Sequence, residues 1–526
     1  MSESNRNSID SIEDSGSENR SHPRFSSTFL IIFLGTIVQI LLQFVLQILL
    51  AKFFGTRIEF EAYTVALTIP IAVSAVIAGT ISAPLMTFMN RISDPKDRRD
   101  FAGTVLVVIG IVCLGLALIG VAVRSPLMQW YLQGDQSELK ELSARLFAIL
   151  VWLIPANTAI GLFQAVLQQS LEFRIPAIAG GLGPLVTVLV VAIFAPNSGI
   201  EAVAYGTLAG AVCNLLIQLR TLSHRVHWII AKNQMALFTS LIWAGVPILI
   251  GTLVLKADSV VDPALAAAME PGSIGHLRYA TQLMTIFVVL GSGTLSTLVF
   301  PKLAISAASD RPLFLRDAAM ALRTLVQLLV PSLVVIFLFA PSLIADLYER
   351  GEFQPSDTLE VTSLMKVLSG FLIGAGLCEI AGKVLVSDHD TWTPNIVGSI
   401  GVGLGITAKL TTDIAQDVAS LAMITSVVFL SCGLILWAIL AFRYGMQIVR
   451  GAASGALVAA VAAIAASVIG GALNAIEFPF SSVVGLFAGA AAYFAVLLAI
   501  DPHLRRLVME PRSTSRQSET TDRHES

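Results

Sequence analysis

Three ionisable residues, Lys256, Asp258 and Asp262, sit in a long stretch that otherwise carries almost no charge. On a helix Asp258 and Asp262 share a face, being four apart, while Lys256 points about 200° away from Asp258. Two carboxylates so placed repel each other unless a cation or a basic side chain lies between them. Inside a membrane span each such group is costly unless it pairs or faces a wet cavity. Two readings stay open: coupling acids or substrate contacts lining a cavity, or an interfacial pair at the end of a span, just before Pro263. The hairpin from Lys256 to Lys302, turning at Glu270-Pro271-Gly272, is where function is expected.

Few other residues offer chemistry. The chain has no Walker loop, no His-Glu-x-x-His and no Cys-x-x-Cys, and its seven His are scattered. Cys113, Cys213, Cys378 and Cys432 lie far apart in apolar stretches and read as small buried residues, not as a disulfide framework or metal site. No catalysis, cofactor or metal is expected. Without a nucleotide site, transport would draw on an ion gradient, the membrane potential or a substrate gradient. Glu379 and Lys383 are spaced as an acid-first helical pair, with Lys383 snorkelling to the surface. Lys366 and Arg323 lie nearer mid-span, within reach of an anionic head group, whereas Asp346–Glu352 reads as a solvated charge run beside a turn.

The elements that position these residues follow from composition. Of 526 residues 55% are hydrophobic and only 13% charged, with a mean hydropathy of +0.79, outside the range of soluble domains. Apolar runs about twenty residues long recur along the chain, so the fold class is all-α, polytopic and membrane-embedded, with about fourteen transmembrane helices. A net charge of −3 gives no reason to expect nucleic-acid binding. Lys and Arg concentrate in the segments on the N-terminal side of the alternation, which places both termini in the cytoplasm.

An internal repeat divides the chain. Gly79-Thr80-Ile81-Ser82 returns as Gly293-Thr294-Leu295-Ser296, Ser125-Pro126-Leu127 as Ala340-Pro341-Ser342-Leu343, and Arg174-Ile175-Pro176 as Trp392-Thr393-Pro394. Two six-helix lobes of like orientation, related by an axis along the membrane normal, would enclose a central cavity. The expected organisation is a disordered tail (1–27), an N-terminal lobe (28–220), a cytoplasmic linker (221–236), a C-terminal lobe (237–442), two further helices (443–500) and a second tail (501–526). Span prolines Pro70, Pro155, Pro247 and Pro331 mark either hinges or static kinks. The dense small residues in the last two spans suit close helix packing.

The middle third carries a resemblance. Val261-Asp262 with Ala264–Ala268, Pro271-Gly272-Ser273, Tyr279-Ala280, Pro301-Lys302-Leu303, Tyr348-Glu349-Arg350-Gly351-Glu352-Phe353 and Asp390-Thr391-Trp392-Thr393-Pro394 are similar to stretches of the MurJ/MviN lipid II flippases. That family belongs to the multidrug/oligosaccharidyl-lipid/polysaccharide exporter superfamily, and the likeness runs from about residue 28 to 450. It implies a V of two lobes, two added helices with a lipid-filled groove, and a bacterial inner-membrane protein of peptidoglycan and cell-wall biogenesis. The implied partners are a lipid-linked saccharide, membrane lipid and envelope-biosynthesis proteins. Departures fall at the family's charged positions: Leu46-Gln47 replaces an Arg-Asp pair, Ser74-Ala75 replaces arginines, and Thr281-Gln282 replaces Asp-Arg. Where some members bind sodium, helix eleven here offers Gly405 and Lys409, so Lys409 or Lys256 is expected to stand in for a cation beside Asp258 and Asp262. Gln39, Gln43, Gln47, Ser74, Lys256, Asp258, Asp262, Gln282, Lys366 and Glu379 are the expected substrate or cavity residues. A polyprenyl-linked saccharide flippase is the expected function. The alternatives are a cation-coupled small-molecule antiporter and a non-transporting scaffold.

Overall fold

In hydrocarbon the backbone N–H and C=O groups must be satisfied within each segment, which selects helices for this composition. The computed structural model describes residues 25–501 apart from 133, 135, 224, 412–416 and 475–480. All regular structure among the described residues is helical. The first half contains α1 (Phe25–Phe54), α2 (Ile58–Arg91), α3 (Pro95–Ala122), α4 (Arg124–Tyr131), α5 (Ser137–Leu150), α6 (Leu153–Gln169) and α7 (Arg174–Leu222). After a linker come α8 (Met235–Ala266), α9 (Ser273–Val288), α10 (Thr294–Ser309), α11 (Arg311–Val334), α12 (Ala340–Tyr348), α13 (Pro355–Val367), α14 (Ser369–Ser387), α15 (Trp392–Thr411) and α16 (Val418–Tyr444). Two last helices, α17 (Met446–Asn474) and α18 (Ser481–Ile500), close the described chain.

Eight helical segments among the described residues are long and apolar enough to cross a membrane, and α5 with α6, bent by 40°, forms a ninth. Within α7 the run Pro196-Asn197-Ser198-Gly199 breaks the helix, Gly199 taking φ 63°, so two of the spans read from the sequence lie in that one element. The kinks have local causes. Pro155 follows the α5–α6 bend, and Pro331 precedes a wide turn at Val335–Phe339, because each ring removes a backbone donor from the ladder. Pro70 and Pro247 lie within α2 and α8.

Helices pack mainly with partners from their own half: α1 on α7 and α2 on α5 and α6, then α14 on α16 and α11 on α14. Across the halves α2 lies along α8 and touches α9. The α17–α18 pair docks on α11. There the Arg323 guanidinium donates to Asp501 (2.8 and 3.0 Å), Gln327 adds a third hydrogen bond at 2.6 Å, and Asp501 is 1% exposed. Arg323, expected within reach of a head group, is thus engaged by Asp501, which was placed at the start of the C-terminal tail. Three hydrogen bonds on the same carboxylate oxygen, two of them from the guanidinium, offset the cost of such burial.

The α14–α15 turn is tied down by charge. Arg311 and the Tyr444 hydroxyl each donate to Asp388 at 2.7 Å, and Arg443 pairs with Asp390. Hydrogen bonds from the Thr393 hydroxyl and N–H, with Arg443 beside them, outweigh burial and hold the Asp390 carboxyl at about 2. A carboxyl depressed by folding stabilises above its ordinary range, near pH 4, and that stabilisation disappears as pH falls towards 2. Asp390→Asn is therefore expected to lower the thermal midpoint at neutral pH and to flatten its dependence across that acid window, read by thermal unfolding in detergent.

Candidate functional site

A cavity of about 460 Å³ opens among α1, α2, α6, α7 and α9. Gln39, Gln43 and Gln47, spaced by four along α1, present one face to it. Opposite them stand Asn157 and Gln164 of α6, then Thr187 and Asn214 from the two arms of α7. Tyr63 of α2 shares a 2.9 Å hydrogen bond with Thr207, and the buried Gln47 Oε1 has no hydrogen-bond partner among the described residues. From the second half α9 contributes Arg278 and Gln282, one turn apart. Arg278 is the one charged residue among the described lining residues. Amide groups offer donors and acceptors together, as a saccharide's hydroxyls require, and a guanidinium matches the oxygens of a phosphate in bidentate fashion.

A second, apolar cavity of about 240 Å³ lies where α9 ends against α11, α17 and α18, lined by Phe287, Leu328, Pro331, Ala463, Gly489 and Tyr493 among others.

The acidic face of α8 meets α15. Lys409 Nζ donates to Asp258 at 2.7 Å and to Asp262 at 2.6 Å. Its side chain is 1% exposed, against 20% and 17% for the two carboxylates. Tyr131 of α4 donates to Val260 O at 2.6 Å and braces the same turn of α8.

At one end of the cavity the two halves are clasped together. The Glu61 carboxylate accepts from the Ile274 N–H (2.9 Å) in the first turn of α9, where the helix dipole favours an anion. Tyr279 donates to Gly55 O, and stacks on Phe60 at 4.7 Å. Asp357 accepts from Thr56 (2.9 Å) and pairs with His276 (2.7 Å). Burial works to raise the Asp357 carboxyl, but these bonds and the Gln354 N–H prevail and hold it below the usual range. The Glu352 N–H donates to Lys52 O, and Arg57 pairs with Glu352. Gly351 makes this approach possible: at φ 65° its missing Cβ would stand 2.1 Å from Lys52 O. Gly351→Val should push the clasp apart. A cysteine introduced at Gln43 should then gain reactivity from that side by tenfold or more, by order of magnitude, read as the rate of labelling with an impermeant thiol reagent.

The residues singled out in the sequence divide into groups. Gln39, Gln43, Gln47 and Gln282 line the polar cavity, and Asp258, Asp262 and Lys409 converge on α8 and α15. Ser74 is buried with its hydroxyl on Ile71 O and is not part of the lining. Lys256 is exposed and takes no part in the triad; Lys366 is exposed on α13, outside the lining. Glu379 accepts from Ser296 at 2.6 Å and stands 3.8 Å from Lys383. Sequence reasoning passed over Arg278, which follows closely on the Glu270-Pro271-Gly272 turn and so resembled a flanking charge. Its signal was Gln282, one turn on and on the same face. Asn157 with Gln164 and Thr207 with Asn214, each seven apart on otherwise apolar helices, carried the same message.

A helical membrane protein with a polar cavity between packed helices, and no strand among its described residues, belongs to the class of polytopic transporters. Solved structures agree on the fold. A lipid II flippase MurJ in an inward closed conformation superposes with a TM-score of 0.78 at 20% identity, over 91% of this chain and all of that one. An inward-facing multidrug resistance MATE transporter gives 0.64 at 13% identity, over 80% of this chain and 98% of that one. The family model described as lipid II flippase MurJ matches residues 50–489, and the chain belongs to that family. Among its relatives, a probable lipid II flippase MurJ of Helicobacter pylori is 24% identical over 77% of this chain and 91% of its own length. A counterpart from Vibrio cholerae is 22% identical over 72% and 76%.

Proposed function

We propose that this protein moves a polyprenyl-diphosphate-linked saccharide from the cytoplasmic to the periplasmic leaflet of a bacterial inner membrane by alternating access, making and breaking no bond. The observation that carries this is Arg278 alone among amides: the guanidinium holds the diphosphate while the glutamines and asparagines hydrogen-bond the sugar. The isoprenoid tail stays in lipid, along the apolar cavity between α11 and the α17–α18 pair. In this reading the chain crosses the membrane fourteen times with both termini cytoplasmic. The lobes are 28–220 and 237–442, and the clasp of Glu61, Tyr279 and Asp357 is the periplasmic closure. The relatives' printed names favour lipid II as cargo, whereas a lining with one charge favours a saccharide with few charges of its own. Depleting the protein should trap the lipid-linked precursor on the cytoplasmic face, measured by its accessibility in right-side-out against inverted vesicles. An unchanged distribution contradicts the proposal.

The likeness to a MATE transporter together with the carboxylates on α8 supports one other reading, a cation-coupled antiporter of small molecules. Ion-dependent efflux from those vesicles, with lipid-linked sugars unaffected, would favour it.

A further inference from the structure

We propose that the basic cavity where α2 and α6 end and α3 begins binds the phosphate of an anionic membrane lipid, at a site separate from the large polar cavity. It measures about 300 Å³ and is lined by Arg98 and Arg99 of α3, Arg225 of the linker after α7, and Met89, Gln169 and Ser170 among others. Three guanidinium groups share this space, and no carboxylate is among its described lining residues. The acids of the adjoining segments are engaged. Glu172 pairs with Arg225 at 2.8 Å, Asp94 accepts from the Lys96 N–H, Asp97 accepts from Gln234, and Asp100 pairs with His227. One carboxylate thus answers three guanidinium groups, an imbalance that an incoming anion relieves.

The arginines are held in place in advance. Arg98 donates through Nε and one terminal nitrogen to Ile92 O, at 3.1 and 2.6 Å, which leaves its remaining donors for a ligand. Arg225 is steadied by Glu172, and the linker that carries it is fastened to α3. The Ala231 N–H donates to the Thr104 hydroxyl at 3.0 Å, and His227 meets Asp100 at 2.6 Å. Gly103 permits this approach, because a Cβ there would stand 1.6 Å from His227 O. Guanidinium groups set in position lose little freedom when they grip a phosphate in bidentate fashion.

Position and neighbours point to a lipid. Glu61 in the clasp and Met89 at this cavity both lie on α2, about 40 Å apart along the helix, which is the thickness of a bilayer with its head groups. The cavity therefore stands at the membrane face opposite the clasp, the cytoplasmic face in the reading above, level with lipid phosphates. The same segments expose apolar side chains: Leu171 next to Ser170, then Trp228, Ile229 and Ile230 shortly after Arg225. An aromatic and aliphatic rim beside basic groups suits the boundary between acyl chains and head groups. A site for a soluble phosphate has no use for one.

The test titrates the full chain in detergent with phosphatidylglycerol, and with phosphatidylcholine for comparison, while native mass spectrometry counts the lipid bound to each chain. Wild-type protein should prefer phosphatidylglycerol. Arg98→Gln and Arg99→Gln should each weaken that binding at least tenfold, by order of magnitude. Arg99 is exposed, so its replacement leaves the fold intact even if Arg98→Gln loosens the turn at Ile92. Arg316→Gln, which removes an exposed cation from α11 in the second half, should bind as the wild type does. Undiminished binding in Arg99→Gln, or phosphatidylcholine bound as tightly, overturns the proposal. Equal weakening by Arg316→Gln shows a diffuse attraction to basic surface and overturns it too. Inorganic phosphate that displaces the lipid at equal concentration makes this a soluble-anion site and overturns the lipid assignment. Failure on any of these counts leaves the flippase reading untouched, since the probe carries no saccharide.

Discussion

Arg278→Gln loses most head-group translocation while the protein stays folded. Among the described lining residues the guanidinium is the one charge, amid amides, hydroxyls and apolar side chains, and none of these replaces it. A charge-assisted hydrogen bond contributes about 1.5–3 kcal/mol, which corresponds to roughly a 10- to 150-fold loss in affinity for the diphosphate. Gln keeps a donor, but on a shorter side chain and without the bidentate fork, and Arg278→Lys, which keeps the charge, should recover part of the loss. Binding of a polyprenyl diphosphate without its sugar isolates this contribution. If Arg278→Gln binds that probe as the wild type does, the phosphate is held elsewhere.

Lys409→Met produces the largest loss of stability expected for a single substitution. It leaves Asp258 and Asp262 facing each other, one turn apart, with no cation between them. Removing one partner from a buried ion cluster costs about 3–5 kcal/mol. Adding Asp262→Asn to Lys409→Met should then return stability, since the repulsion is gone and one carboxylate remains. Thermal unfolding of the four proteins closes a double-mutant cycle. Additive losses would mean that the three side chains do not act as one unit.

Much of the architecture was legible in advance because the bilayer permits few alternatives. Apolar runs, a bend at Pro155 and the hairpin turn at Gly272 followed from local chemistry. The meeting of Lys409 with Asp258 was within reach because paired carboxylates on one helix face demand a cation, and few lysines sit in spans. What the sequence hid is long-range. Nothing local tells that Arg323 meets Asp501, 178 residues away, or that Glu61 accepts from a backbone N–H 213 residues on. Arg278 escaped because charge near a span boundary reads as solvated flank. Ser74 misled for the opposite reason: a hydroxyl within a helix satisfies itself on the carbonyl of the preceding turn, here Ile71 O, and need not face a cavity.

The central claim is that this cavity accepts a phosphate-bearing saccharide head group while the lipid tail remains outside. Proteoliposomes containing the full chain and a fluorescent polyprenyl-diphosphate-linked neutral disaccharide test it most directly, with an impermeant reductant reporting which leaflet holds the label. Wild-type protein should bring the inner pool to the surface, Arg278→Gln and Gly351→Val should slow that exchange at least tenfold by order of magnitude, and a polyprenyl chain without the diphosphate should not move. Equal exchange by wild type and Arg278→Gln, or none by either, would contradict the account.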